Sequence, residues 1–189
     1  MLRRGLILLM VAAVILGAGS AAYAYSNVAL NQPVTLNGAF GPPPPPVAAA
    51  GTVDDGIFLP ENTDWQTGTV WWQNDLSPTV TITLDQAYYV NKFRLQADCN
   101  DNYDVRAYNG PTLVYTASFP TKGWPGMITR DDIVLGSFIT IDRLVCQVTN
   151  GDNYYSVSEI QAFGDPVPVT ASLVLLCSGL LGLGFWRRK

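Results

Sequence analysis

The chain predicts an all-β fold, an antiparallel sandwich or barrel, with an apolar segment at each end. Three observations carry this reading. Apolar and polar residues alternate with a period of two through most of the middle. Gly, Pro, Asn and Asp interrupt the alternation about every ten residues. No stretch of the middle keeps a helical period, which leaves short strands and turns as its building units.

The first element is a separate address. Arg3 and Arg4 precede an apolar core from Leu6 to Ala18, and Ala22-Tyr23-Ala24 supplies small residues for cleavage. This is the layout of a secretory signal peptide, with a core too short for a comfortable membrane span. The alternative is an uncleaved amino-terminal anchor, which also leaves the rest outside the cytoplasm. Residues 1–24 are therefore assigned to a signal helix, 25–165 to one β domain, and 166–189 to a carboxy-terminal segment.

Within the domain, PTVTITLD sends Val80, Ile82 and Leu84 one way and Thr79, Thr81 and Thr83 the other. YYVNKFRLQAD continues the pattern with Phe93, Leu95 and Ala97 opposite Lys92, Arg94 and Gln96. Tyr103, Val105 and Ala107 repeat it after CNDN, so residues 89–108 read as a hairpin. Further strands are expected over Thr112–Phe119, Ile128–Leu135, Phe138–Thr149 and Tyr155–Phe163. The five prolines Pro42 to Pro46 lack backbone donors and favour an extended path, which makes GPPPPPVAAAG a stiff surface loop.

Charge and missing residue types narrow the function. All fifteen Asp and Glu lie between Asp54 and Asp165, against six basic residues there (Lys92, Arg94, Arg106, Lys122, Arg130 and Arg143), a net charge near −9. So acidic a domain repels nucleic acid and anionic lipid. The chain has no histidine, which removes Ser-His-Asp and Cys-His catalysis and histidine-ligated metals. Cys177 lies in the apolar tail, leaving Cys99 and Cys146 in the exported part. Both fall on the core-facing phase of their strands. Two readings stand: a disulfide, contributing roughly 4 kcal/mol by closing so long a loop, or two small buried thiols.

Several segments in order resemble the discoidin, or coagulation-factor type C, family. They are NVALNQPVT, the turn Val53-Asp54-Asp55-Gly56, Val70-Trp71-Trp72 before TVTITLD, and the closing Tyr154-Tyr155-Ser156-Val157-Ser158-Glu159-Ile160-Gln161-Ala162-Phe163-Gly164. The resemblance spans about residues 27–164 and implies an eight-stranded jelly-roll sandwich of the galactose-binding type. It also implies a module that binds rather than catalyses, with sugars, lipid headgroups or proteins gripped by loops at one end. Many members hold a structural calcium ion, and carried over by position its ligands are Asp55, Glu159 and Thr63. The competing reading of these residues is a turn cap and a hydrogen-bonded carboxylate.

A sugar needs an aromatic face and converging polar groups. Trp65, Trp71, Trp72 and Trp124 can supply the first. Asp98, Asp101 and Asn102 in CNDNYD, with Asp152 and Asn153 in TNGDNYY, can supply the second. The same Asn, Asp and Gly content is what tight turns require. Trp71 and Trp72 are adjacent and face opposite sides of a strand, so at least one belongs to the core.

The tail PVPVTASLVLLCSGLLGLGFWRRK resembles the PEP-CTERM sorting signal of exopolysaccharide-producing bacteria. Val167-Pro168-Val169-Thr170-Ala171-Ser172 stands at the short motif, Leu173 to Trp186 at the span, and Arg187-Arg188-Lys189 at the basic end. Val169 and Thr170 replace the motif's glutamate and second proline. Val169 to Trp186 is 18 uncharged residues, enough to cross a bilayer as one transmembrane helix with the basic end cytoplasmic. The resemblance implies an exosortase-type processing protease as a partner. A plain anchor is the alternative.

Together these features describe an exported, surface-associated binding module for extracellular polysaccharide or matrix glycans. A structural cell-surface or biofilm protein contacting other proteins is the alternative. A hydrolase using two carboxylates such as Glu61 and Glu159 is a remote one.

Overall fold

The computed structural model describes residues 25–41, 47–123 and 125–168. Nine strands account for most of them: β1 (Ser26–Asn27), β2 (Val34–Asn37), β3 (Val70–Gln73), β4 (Thr79–Asp98), β5 (Asn102–Asn109), β6 (Thr112–Phe119), β7 (Met127–Thr129), β8 (Ile133–Asn150) and β9 (Tyr154–Pro166). A single 3-10 turn, Ala50–Val53, is the only helical element among the described residues. Every strand pairing is antiparallel. The expected all-β class is what the described residues adopt.

β4 is the spine. Its first half pairs with β2 and β8, and its second half with β9 and β7. The register shifts between Thr83 and Tyr88 and again between Val90 and Lys92. Extra residues of this kind bend a strand and increase its twist, which lets one long strand serve both wings of the sheet. The path then runs β1-β9-β4-β8-β5-β6, with β3 added to β9.

The wings close over one core. Val80, Ile82, Phe93, Leu95, Val105, Leu144, Val157 and Ile160 are all buried, as the alternation predicts. Trp72 of β3 meets Tyr155 of β9 at 5.8 Å between ring centroids and Tyr103 of β5 at 6.5 Å. That contact joins the β9 wing to the β5 wing across the interior. The indole Nε1 donates to the Asp75 carbonyl at 3.1 Å, so the buried polar atom is satisfied.

The structure corrects three expectations. Residues 89–108 are not a hairpin, because β4 and β5 do not pair with each other; β5 pairs with β6 and β8. Asp98–Asp101 is instead a corner that carries the chain from one wing to the other. Alternation reveals which face is buried but not which strand lies alongside. The expected strand Ile128–Leu135 is divided into β7 and the start of β8, because Arg130 turns inward between them.

The third correction concerns the thiols. Cys99 and Cys146 are both buried and free. Cys146 lies between Val80 and Val105 in register, whereas Cys99 follows the opposite end of β4 from Val80. Sharing a core-facing phase does not bring two residues together when the strand between them is this long. Burial pushes the thiols up, to about 11 for Cys99 and about 12 for Cys146, so both remain protonated.

The signal segment 1–24, the prolines 42–46, Trp124 and the tail from Val169 lie outside the described residues. Among the described residues no helix is long and apolar enough to cross a membrane.

Trp72 is fully buried and holds the two wings in contact. Replacing it by alanine is expected to destabilise the fold by about 3–5 kcal/mol, measured as a lower urea midpoint with little change in slope.

Candidate functional site

Four connections meet at one end of the molecule and surround a cavity of about 570 Å³. They are the loop between β2 and β3, the corner between β4 and β5, the loop leading into β7, and the turn between β8 and β9. Each is held in place by identifiable bonds.

The first loop is stitched to the third. The Asn62 amide donates to the Met127 carbonyl at 2.8 Å, and the Met127 amide returns a bond to the Thr63 carbonyl at 2.8 Å. Gly126 lies between them with φ +76°, and a Cβ there would overlap the Thr63 carbonyl oxygen. Only glycine permits this approach. The Cys99 amide donates to the Gly126 carbonyl at 3.0 Å, which fastens the second connection to the third.

The two corner turns lock together. Asn100 Nδ2 donates to Asp152 Oδ2 at 2.7 Å, and the Asp152 amide donates to Asp101 Oδ1 at 3.2 Å. Asp101 also accepts from the Tyr103 hydroxyl at 3.2 Å, and that hydroxyl accepts from the Ser156 amide at 3.0 Å. Beneath both turns lies Arg130, almost completely buried. Its guanidinium donates to the carbonyls of Pro120 (2.6 Å), Asp101 (3.3 Å) and Asp98. One cation thus satisfies three carbonyls of irregular backbone that strands cannot pair.

The cavity lining combines aromatic and acidic residues. Trp65 and Tyr154 lie 5.4 Å apart, and Trp65 rests edge-on against buried Trp71, also at 5.4 Å. The rest of the lining comes from Asp64, Asp98 and Asp152, Asn62 and Asn100, and Pro125 and Gly126. Asp98 is 4% exposed. Burial pushes its carboxyl up to about 6, with the Cys99 amide hydrogen bond opposing and the Asp152 charge adding. Asp101 is pushed to about 7 by burial and then by the Asp98 charge.

The candidate residues therefore divide by role. Trp65, Asp98 and Asp152 line the cavity. Trp71 supports the Trp65 ring from behind, and Trp72 is core. Asp101 sits below the surface as a brace between turns. Asn102 faces elsewhere, its Oδ1 accepting from the Thr121 amide at 2.8 Å. Asn153 takes a φ of +77° and serves the turn itself. Trp124 lies outside the described residues. Asn62, Asp64, Asn100 and Tyr154 escaped the sequence reading. Tyr154 was legible in principle, since its neighbour Tyr155 points into the core and an adjacent strand residue must point out.

The calcium candidates do not assemble as a set of three. Glu159 is fully buried, its Oε2 accepting from the Gly56 amide at 3.3 Å and its Oε1 from Gln161 Nε2 at 3.0 Å. Asp55 is close enough for its charge to help raise Glu159, which burial pushes up to about 7. Thr63 is engaged elsewhere: its hydroxyl donates to the Pro60 carbonyl at 2.6 Å and its own carbonyl serves Met127. The neighbouring Asp54, rather than Asp55, is the buried carboxylate of the turn, accepting from the Gln32 amide at 2.7 Å. Among the described residues no group of three or more Cys, Asp or Glu is placed to hold a metal ion. The two carboxylates named for hydrolysis do not belong to this cavity. Glu61 accepts from the Thr129 amide at 3.0 Å, and neither Glu61 nor Glu159 lines the cavity.

Asp98 and Asp101 have folded-state values above their ordinary 3.8. The folded state then holds more protons than the unfolded chain between about pH 4 and 7, so their contribution to stability falls as pH rises through that window. Melting is expected several degrees higher near pH 5 than near pH 8. Asp101→Asn, which mimics the protonated form, is expected to flatten that dependence in thermal melts followed by circular dichroism.

No protein-family profile matches the chain, and no curated protein matches it in sequence. Solved structures do share its fold. A fucolectin from the serum of Morone saxatilis, the striped bass, superposes with a TM-score of 0.58 at 18% identity, covering 78% of this chain and 52% of that one. The lectin domain of lectinolysin, solved with Lewis B antigen, gives 0.56 at 13% identity, covering 76% and 99%. The family 32 carbohydrate-binding module of C. perfringens NanJ, solved with galactose, gives 0.51 at 13% identity, covering 75% and 99%. By fold, this chain is similar to carbohydrate-binding modules and lectins of the galactose-binding-like class.

Proposed function

We propose that residues 25–165 form a non-catalytic glycan-binding module whose ligand occupies the cavity beside Trp65. The single observation that carries this is the cavity's lining: the rings of Trp65 and Tyr154 together with acidic and amide side chains on interlocked turns. Aromatic faces cover the apolar side of a sugar ring while planar polar groups take its hydroxyls. The fold shared with a lectin domain solved with Lewis B antigen and a module solved with galactose supports the same reading.

The module is exported through its amino-terminal signal and held at the membrane by the carboxy-terminal segment before any processing by an exosortase-type protease. Its partners are extracellular polysaccharide or matrix glycans.

Calcium belongs to this proposal in a reduced form. Glu159 is a buried carboxylate with neutral hydrogen-bond donors and two acidic neighbours, Asp54 and Asp55. A hard cation there would hold the turn to β9.

Two measurements test these statements. On a broad glycan array, the full-length chain in mild detergent is expected to bind, and Trp65→Ala to lose at least tenfold in affinity while melting close to the parent. Absence of binding across the array would refute the glycan reading. Added calcium is expected to raise the melting temperature of the parent and not that of Glu159→Gln. If the parent does not respond, Glu159 is a protonated structural carboxyl and no metal belongs there.

A further inference from the structure

The chemistry of the cavity is one-sided. Asp64, Asp98 and Asp152 line it, and among the described residues no lysine or arginine does. The nearby buried cation, Arg130, is turned away, its guanidinium engaged by backbone carbonyls. Acceptors also outnumber donors. The Oδ1 of Asn100 is buried without a hydrogen-bond partner, its Nδ2 being spent on Asp152. Asp98 is 4% exposed, and its Oδ1 accepts from the Cys99 amide at 2.8 Å. A buried acceptor without a donor costs free energy, which a ligand supplying donors recovers.

Resting on the glycan reading above, we propose that the ligand is an amino sugar carrying a free, protonated amine. The ammonium group is received between Asp98 and Asp152, and the ring packs on Trp65 and Tyr154. An ammonium brings three donors and a positive charge to a wall of acceptors, and aromatic faces attract cations as well. A bare metal ion fits less well, because the carboxylates are spread around a cavity of about 570 Å³ and do not converge as a ligand set. The volume suits a sugar ring with its substituents. Outside the cavity, the acidic surface of the exported part raises the local concentration of cationic ligands without fixing them in a pose.

The test compares a fully deacetylated glucosamine oligomer with its N-acetylated counterpart, by titration calorimetry on the full-length chain near pH 6. The deacetylated form is expected to bind at least tenfold more tightly. Asp152→Asn and Asp64→Asn, at exposed positions, are each expected to weaken it by about fivefold to tenfold, as loss of a charge-assisted bond does. Asp98→Asn extends the series to a buried site. Binding is expected to strengthen as Asp98, pushed up to about 6, loses its proton, and to weaken again at higher pH as the amine loses its own.

Three results would overturn the proposal. Equal binding of both oligomers that depends on Trp65 but not on the carboxylates leaves a neutral-glycan site and refutes the amine. Binding of the deacetylated form that survives Trp65→Ala is surface attraction alone. Binding of neither oligomer refutes the amine; the array then decides separately whether any glycan is taken.

Discussion

The end of the molecule that bears the cavity depends on a buried guanidinium. Arg130 sits between β7 and β8, and its own amide bonds the Leu95 carbonyl at 2.8 Å. From that anchor it reaches the carbonyls of Pro120, Asp98 and Asp101, which belong to two different connections. Strand edges satisfy their backbone by pairing, but a corner between wings has no neighbour to pair with. A charged donor with a rigid fork is a compact way to satisfy several such carbonyls at once. Burial lowers Arg130 from its ordinary value, yet a guanidinium begins far above neutrality and keeps its charge.

That cation makes the acidic turn tolerable. Asp98 and Asp101 are both buried beside it, and each still lies well above the usual carboxylate range because burial outweighs the attraction. The turn is consequently an electrostatic compromise, held by Arg130 below and by Asp152 and Tyr103 alongside. The cavity inherits its character from this arrangement. Oxygen acceptors are fixed in position by a framework that leaves few donors free to meet them. The aromatic wall is stiffened in the same way, Trp65 lying against Trp71, which the sheet holds nearly completely buried.

Much of the scaffold could be read along the chain. The alternation of Val80, Ile82 and Leu84 with threonines, and of Phe93, Leu95 and Ala97 with longer polar residues, predicts their burial correctly. Period-two patterning reports the environment of each face, and that environment is local to the strand. Thr112–Phe119 is found with the expected bounds because its turn residues, Gly110 and Pro111, mark the start. The hairpin over 89–108 failed for a related reason. CNDN has turn chemistry, but a corner and a hairpin use the same residues, and only the identity of the neighbouring strand separates them.

The sequence by itself determined the all-β class, the face each strand presents, the acidic balance of the β domain and the absence of histidine chemistry. These follow from residue type and spacing, which need no partner. Tertiary structure alone decided that Cys99 and Cys146 stay apart, that Asp54 rather than Asp55 is buried, and that Thr63 serves Met127 instead of Glu159. It also decided that Asp64, Asp98 and Asp152, drawn from three distant connections, face one cavity with Tyr154. Such convergence depends on where β4 bends and which strands flank it, and long-range pairing leaves no periodic trace in the chain.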